Sequence, residues 1–183
     1  MRVAAIIPAR GGSTRIPRKN LAQLGGKSLL SYTVNAAFSA TLVDEVYVST
    51  DDQEIAAAAR NLGAGVIWRP ASLSTETAPT EPALIHAVKT LEANGRLLGA
   101  VVMLQPTSPL RPARRIDQAI ELFVRTGCDT VASVHAEVGY YFLGELEADQ
   151  RLRLGYDPQH RLRTQDIAPR YKENGAIYVI ARD

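Results

Sequence analysis

The segment Pro8-Ala9-Arg10-Gly11-Gly12-Ser13-Thr14-Arg15-Ile16-Pro17-Arg18-Lys19-Asn20 places four cations, Arg10, Arg15, Arg18 and Lys19, around two adjacent glycines. Adjacent glycines let backbone N–H groups turn towards an anion with no side chain in the way. Arginine grips phosphate through two parallel hydrogen bonds, and lysine supplies a point charge. Together these residues ask for a polyanion, and a triphosphate is the obvious small one. A solvated basic loop would share the composition. The glycine pair following directly on the apolar run Val3–Ile7 favours the phosphate reading.

Two better-known phosphate signatures fail. Gly26-Lys27-Ser28 resembles the end of a Walker A loop, but the first glycine of that motif would fall at Leu21, and no strand precedes it. It reads as a turn before a helix. The dinucleotide pattern G-x-G-x-x-G is absent after the first apolar run. A second loop, Gln105-Pro106-Thr107-Ser108-Pro109-Leu110-Arg111, is stiffened by two prolines and can hold the Gln105 amide, donor and acceptor together, in one direction. Asp51-Asp52 could bind a metal, but Thr50 or Asp51 is equally explained as a helix cap. Cys128, the only cysteine, excludes an internal disulfide and reads as a structural thiol; the three histidines lack metal-ligand spacing.

These loops need elements to hold them. Short apolar runs at Val3–Ile7, Val46–Ser49, Val66–Trp68, Ala100–Leu104 and Thr130–Val134 read as strands, and Ala176–Ile180 as a returning one. Helices fall between them: one capped by Ser28, one through Ala56–Leu62 ended by Gly63, one with Pro82 in its first turn, and one marked by Ile116, Ile120 and Phe123. Strands spaced by helices imply a parallel sheet covered on both faces. Ligands then bind beyond the carboxyl ends of the strands. Loops 9–20, 69–80 and 105–111 all follow strands, so they should gather along one edge. Region 135–170 lacks clean periodicity and is rich in arginine.

The chain has 183 residues, 46% hydrophobic and 22% charged, which suits a single folded domain spanning 1–183. Its net charge of +2 and pI near 8.8 give little support to nucleic-acid binding, and its basic segments lack interleaved aromatics. No membrane partner is expected: the apolar start is too short to span a bilayer and has no signal-peptide pattern, so a cytoplasmic location is the default.

Ile7-Pro8-Ala9-Arg10-Gly11-Gly12-Ser13 with Ile16-Pro17-Arg18-Lys19-Asn20-Leu21 resembles the signature of the acylneuraminate cytidylyltransferases, which make CMP conjugates of sialic-type sugars. Val48-Ser49-Thr50-Asp51, Arg69-Pro70-Ala71, Leu104-Gln105-Pro106-Thr107-Ser108-Pro109-Leu110-Arg111, Arg163-Thr164-Gln165-Asp166 and Glu173-Asn174-Gly175-Ala176-Ile177-Tyr178 resemble further family blocks in the same order. The resemblance implies a Rossmann-like three-layer α/β sandwich of the nucleotide-diphospho-sugar transferase type, with 135–170 as a dimerisation insertion in a homodimer. It implies transfer of CMP from CTP to the anomeric hydroxyl of a neuraminate- or legionaminate-type nonulosonate, releasing pyrophosphate. Ala9, Arg10, Gly11, Gly12, Ser13, Lys19, Asn20, Arg69, Thr77 and Thr80 would bind the nucleotide. Gln105, Arg163, Gln165 and Lys172 would bind the sugar, and Arg10, Lys19, Gln105 and Arg163 would carry catalysis.

The resemblance also implies Mg²⁺. The family's paired-aspartate metal motif is expected beyond Asp183, with the C-terminal part of the family domain, and no metal ligand is identified within 1–183. Thr14 stands where the family commonly has lysine, with Arg15 as a replacement cation. Val138-Gly139 stands where it commonly has His-Pro, and Tyr141 where a cation tends to follow. Ser13-Thr14-Arg15 leans towards the enzymes for 3-deoxy-manno-octulosonate (KDO), while the Gln105 loop and Asn174-Gly175 lean away from them. Arg163-Thr164-Gln165-Asp166 is also similar to pseudaminate enzymes. A non-catalytic nucleotide-binding member is the remaining alternative.

Overall fold

Val3–Ile7 is apolar at every position, as a strand covered on both faces must be. It forms β1 (Val3–Pro8), with Val3 to Ile7 all buried. The computed structural model describes residues 1–13, 16–137 and 143–182, so the expectations placed on Thr14, Arg15, Val138, Gly139 and Tyr141 lie outside the described residues. A small hairpin of β2 (Gln23–Leu24) and β3 (Lys27–Ser28) turns through Gly25 and Gly26 at φ +55 and +78, so this segment is a turn, as the sequence indicates. Ser28 Oγ then accepts from the Ser31 N–H at 3.2 Å and caps α1 (Leu29–Phe38).

β4 (Glu45–Thr50) leads into α2 (Gln53–Asn61). The cap of α2 is Asp52, whose Oδ1 accepts from the Ile55 N–H at 2.9 Å, and not Thr50 or Asp51 as expected. Thr50 is instead the last residue of β4, and its Oγ1 accepts from the Asp52 N–H. β5 (Gly65–Trp68) ends in the only tryptophan of the chain; Trp68 is half-exposed, with the Arg60 guanidinium carbon 5.8 Å from its ring centroid. α3 (Thr80–Ala93), β6 (Ala100–Met103) and α4 (Ala113–Thr126) follow, then β7 (Thr130–Glu137), β8 (Gly144–Leu146), β9 (Leu152–Leu154) and β10 (Arg170–Ala181). Cys128, between α4 and β7, is a half-buried free thiol that hydrogen-bonds the Thr130 carbonyl.

The six-stranded sheet has the order β5-β4-β1-β6-β10-β7. β4 and β6 both run parallel to β1, and β5 runs parallel to β4. β10 runs antiparallel to β6, pairing Tyr178 with Met103 and Ala181 with Ala100. Alternation along β1 divides the core. Val3, Ala5 and Ile7 pack with Leu30 and Val34 of α1, Ile55 of α2 and Ile116 and Ile120 of α4. Ala4 and Ile6 pack on the other face with Ile67 and with Ala87 and Leu91 of α3. Fully burying one Ile side chain contributes about 1.5–3 kcal/mol, so Ile6 and Ile7 anchor opposite helical layers. The result is the mostly parallel, Rossmann-like three-layer α/β sandwich expected.

The chain divides into two compact units, Met1–Ser133 with Gly175–Asp183, and Val134–Asn174. Within the second, β8 and β9 pair antiparallel, with Glu145 opposite Arg153. Two 3-10 turns follow, Pro158–His160 capped by Asp157, and Thr164–Asp166. Among the described residues no helix is long and apolar enough to cross a membrane.

Candidate active site

Parallel strands deliver their following loops to one edge, and in the first unit three such loops meet around a cavity of about 560 Å³. The loop after β1 contributes Arg10, Ser13, Lys19 and Asn20. The loop after β5 contributes Arg69, Glu76, Thr77 and Thr80. The loop after β6 contributes Gln105, Pro106 and Thr107. Of the residues proposed from sequence for the nucleotide, Arg10, Ser13, Lys19, Asn20, Arg69, Thr77 and Thr80 therefore line one concavity, together with Gln105, whereas Ala9, Gly11 and Gly12 do not.

Specific bonds hold the loops in place. Ala9 is fully buried, and its N–H donates to the Ser49 carbonyl at 2.9 Å, so it anchors the first loop and does not line the cavity. Asn20 Nδ2 donates to the Arg10 carbonyl at 3.0 Å, closing that loop on itself. Arg10 Nη1 reaches the second loop and donates to the carbonyls of Thr75 and Glu76, at 2.5 and 2.8 Å. Arg69 is buried; its Nε donates to Ser49 Oγ at 3.3 Å and its Nη2 to the Ser49 carbonyl at 2.9 Å. Burial lowers the Arg69 pKa, with Asp51 opposing the shift and Arg10 adding to it. A desolvated guanidinium of this kind interacts strongly with a phosphate, because little water screens it. The second loop ends at the N-terminus of α3, capped by Pro79 without a side-chain acceptor, and this positive end favours negative charge.

Gly11 and Gly12 do not line the cavity. The Gly11 N–H donates to Asp51 Oδ1 at 3.0 Å, and a Cβ at Gly11 would lie 2.7 Å from Asp52 Oδ2. Glycine is required here for close approach to the start of α2. Gly12 has open space where a side chain would stand. Arg18, counted from sequence among the phosphate cations, is engaged elsewhere: its Nη2 pairs with Asp52 at 3.1 Å and its Nη1 with Glu54 at 3.0 Å. The acidic first turn of α2 claims it.

Gln105 Oε1 lies 3.5 Å from Thr107 Oγ1. Behind the loop, Arg111 is buried, and its Nη1 donates to the Ala176 carbonyl at 2.7 Å and the Gln105 carbonyl at 3.4 Å. Burial pushes the Arg111 pKa down to about 10, which leaves it cationic at neutral pH. The sequence reading assigned no role to Arg111, Glu76 or Gly175. Arg111 ends the Leu104–Arg111 block, but its bond to the Ala176 carbonyl spans 65 residues and leaves no local signal. Arg163, Gln165 and Lys172 belong to the second unit. There Arg163 Nε donates to Asp166 Oδ2 at 2.6 Å, Gln165 sits in the 3-10 turn, and Lys172 is exposed on β10.

The residues present do not fit a divalent cation. Asp51 accepts from Gly11, Asp52 caps α2 and pairs with Arg18, and among the described residues no three His, Cys, Asp or Glu side chains converge.

Comparison with known proteins adds to this geometry. The sequence pattern of the family described as cytidylyltransferase matches residues 4–182. The CMP-N,N'-diacetyllegionaminic acid synthase of Legionella pneumophila is 33% identical, over 98% of this chain and 78% of that one. The pseudaminic acid cytidylyltransferase of Campylobacter jejuni is 31% identical, over 97% of this chain and 78% of that one. An N-acylneuraminate cytidylyltransferase of Streptococcus agalactiae is 32% identical, over 98% of this chain and 43% of that one. Among solved structures, a CMP:2-keto-3-deoxy-manno-octonic acid synthetase complexed with CTP superposes with a TM-score of 0.73 at 21% identity, covering 100% of this chain and 75% of that one. That last likeness concerns the fold.

Proposed function

Because the chain belongs to the cytidylyltransferase family, we propose that it transfers CMP from CTP to the anomeric hydroxyl of a sialic-acid-like nonulosonate, of neuraminate or legionaminate type, and releases pyrophosphate. The observation that carries this reading is the gathering of three strand-end loops around one cavity lined, among the described residues, by three cations, Arg10, Lys19 and Arg69, and a single carboxylate, Glu76. The excess of positive charge suits a triphosphate. The sugar hydroxyl oxygen bonds to the α-phosphorus, the bond from that phosphorus to the bridging oxygen breaks, and pyrophosphate leaves with the electron pair. The hydroxyl proton passes to solvent. Little covalent chemistry falls to the protein, which acts by positioning and by stabilising charge.

Lys19 and Arg10 face the phosphates. Arg69, Thr77 and Thr80 help bind the nucleotide, and Gln105 offers its amide to the sugar hydroxyls. Arg163, Gln165 and Lys172 would meet the sugar carboxylate. Since Arg163 already pairs with Asp166, that carboxylate would have to share or displace the aspartate. The second unit, Val134–Asn174, is proposed as the surface through which two copies pair, which light scattering on the purified protein tests directly.

Pyrophosphate release from CTP, measured in magnesium buffer with N,N'-diacetyllegionaminate, N-acetylneuraminate, pseudaminate and KDO, tests the reading. Turnover with one of the first two is expected. Fastest turnover with pseudaminate moves the assignment to that acid, and turnover with KDO alone overturns it. Gln105→Ala should impair sugar use more than CTP binding; a selective rise in the CTP Kd would contradict the role given to Gln105.

A further inference from the structure

We propose that Gly175 and Arg111 are positioning residues for Gln105. Gly175 leaves the space its carboxamide occupies, and Arg111 ties the Gln105 main chain to the strand that carries Gly175. The proposal rests on the reading of Gln105 as the sugar-facing amide.

The antiparallel direction of β10 makes this possible. Tyr178 pairs with Met103, so residues just before Tyr178 arrive beside those just after Met103, where the Gln105 loop leaves the sheet. Gly175 lies there at φ +71, and a Cβ on it would stand 3.0 Å from Gln105 Oε1 and 3.7 Å from Gln105 Cδ. Two separate demands thus fall on one position. The backbone value favours glycine, and a methyl 3.0 Å from the Gln105 amide oxygen would push that amide aside.

Arg111 supplies the second half. It is 7% exposed, and its Nη1 donates to the carbonyls of both Ala176 and Gln105, while its Nε and Nη2 are buried without a hydrogen-bond partner among the described residues. A buried cation with no counter-charge among the described residues is a costly way to fill space, and an apolar side chain would fill it better. What the guanidinium supplies is one donor group bridging the loop and the strand. With Gly175 adjoining Ala176, that bridge fixes the distance between Gln105 and the glycine.

The test combines a double-mutant cycle with a measurement that needs no sugar. The kcat/KM for N,N'-diacetyllegionaminate at saturating CTP is measured for Gly175→Ala, Gln105→Ala and the double variant. The Gln105 side-chain amide resonance is followed by NMR in the ligand-free protein and assigned by its loss in Gln105→Ala. Gly175→Ala is expected to lower sugar kcat/KM about tenfold, to move the amide resonance and to leave the CTP KM within about twofold. In the Gln105→Ala background the same change should cost less than about twofold, because coupled residues are not additive. Additive losses or an unmoved resonance overturn the role of Gly175 while leaving the reading of Gln105 in place. Normal sugar kinetics in Gln105→Ala bring down both. Arg111→Lys, which keeps the charge but not the fork, should lower sugar kcat/KM with the CTP KM unchanged. Arg111→Gln serves as the second variant, and wild-type sugar kinetics in either folded protein overturn the role of Arg111.

Discussion

Replacing Gly11 with alanine tests whether the first loop is seated against α2 as closely as described. The added Cβ would stand 2.7 Å from Asp52 Oδ2 and 2.9 Å from Asp52 Cβ. Carbon atoms rest at about 3.5–4.0 Å, so one side must yield by about 0.5 Å or more. If Asp52 yields, the helix loses a cap worth about 1 kcal/mol. The exposed Arg18–Asp52 pair adds about 0.5 kcal/mol. At about 2–4 °C per kcal/mol for a chain of this size, the melting temperature falls by roughly 3–6 °C. If the loop yields instead, Arg10 and Ser13 are displaced. A misplacement of about 1 Å costs on the order of 10²-fold in function, so half of that weakens CTP binding roughly tenfold. Differential scanning fluorimetry with and without CTP, and calorimetric titration of CTP, separate the two outcomes. A melting temperature within about 1 °C of wild type together with an unchanged CTP Kd would refute the close approach.

Arg10→Ala removes both a phosphate-facing cation and the bridge to Thr75 and Glu76, and should lower kcat/KM for CTP by about 10²-fold or more; near-wild-type kinetics would contradict this. Ser28→Ala deletes the α1 cap and should cost about 1 kcal/mol in urea unfolding, with CTP affinity unchanged. Asp157 is held below the usual carboxylate range by its hydrogen bond with His160 first and by the Gln159 N–H second. A lowered carboxylate stabilises its turn above its unfolded pKa and loses that contribution as pH falls through the lower folded value. The Gln159 amide shift should therefore titrate with a midpoint below 3.8, and a midpoint at or above 3.8 refutes the cap.

The sheet was legible where burial dictates the residue type. β1 and β6 are unbroken apolar runs because both faces are covered, and α4 shows Ile116 and Ile120 four apart because one face is. The α2 cap was not resolved to one residue, because Thr50, Asp51 and Asp52 are all capping types and only the exact end of β4 chooses among them. Counting cations placed Arg18 with the phosphates, since nothing local reveals that Asp52 and Glu54 hold it from 34 and 36 residues away. The convergence of Arg10, Arg69 and Gln105 followed from topology, whereas the approach of Gly175 to Gln105 depends on strand direction, which no local pattern encodes. β8 and β9 were missed because their residues are mostly exposed, so no apolar alternation marks them.

Trp68 adjoins Arg69, a cavity residue, and is the only indole in the chain. Its half-exposed ring under the Arg60 cation makes it an intrinsic fluorophore at the rim of the second loop. Emission excited at the red edge of indole absorption, where the seven tyrosines absorb little, thus arises from a single address, and ligand-induced rearrangement of that loop can be followed by stopped-flow quenching without any attached dye.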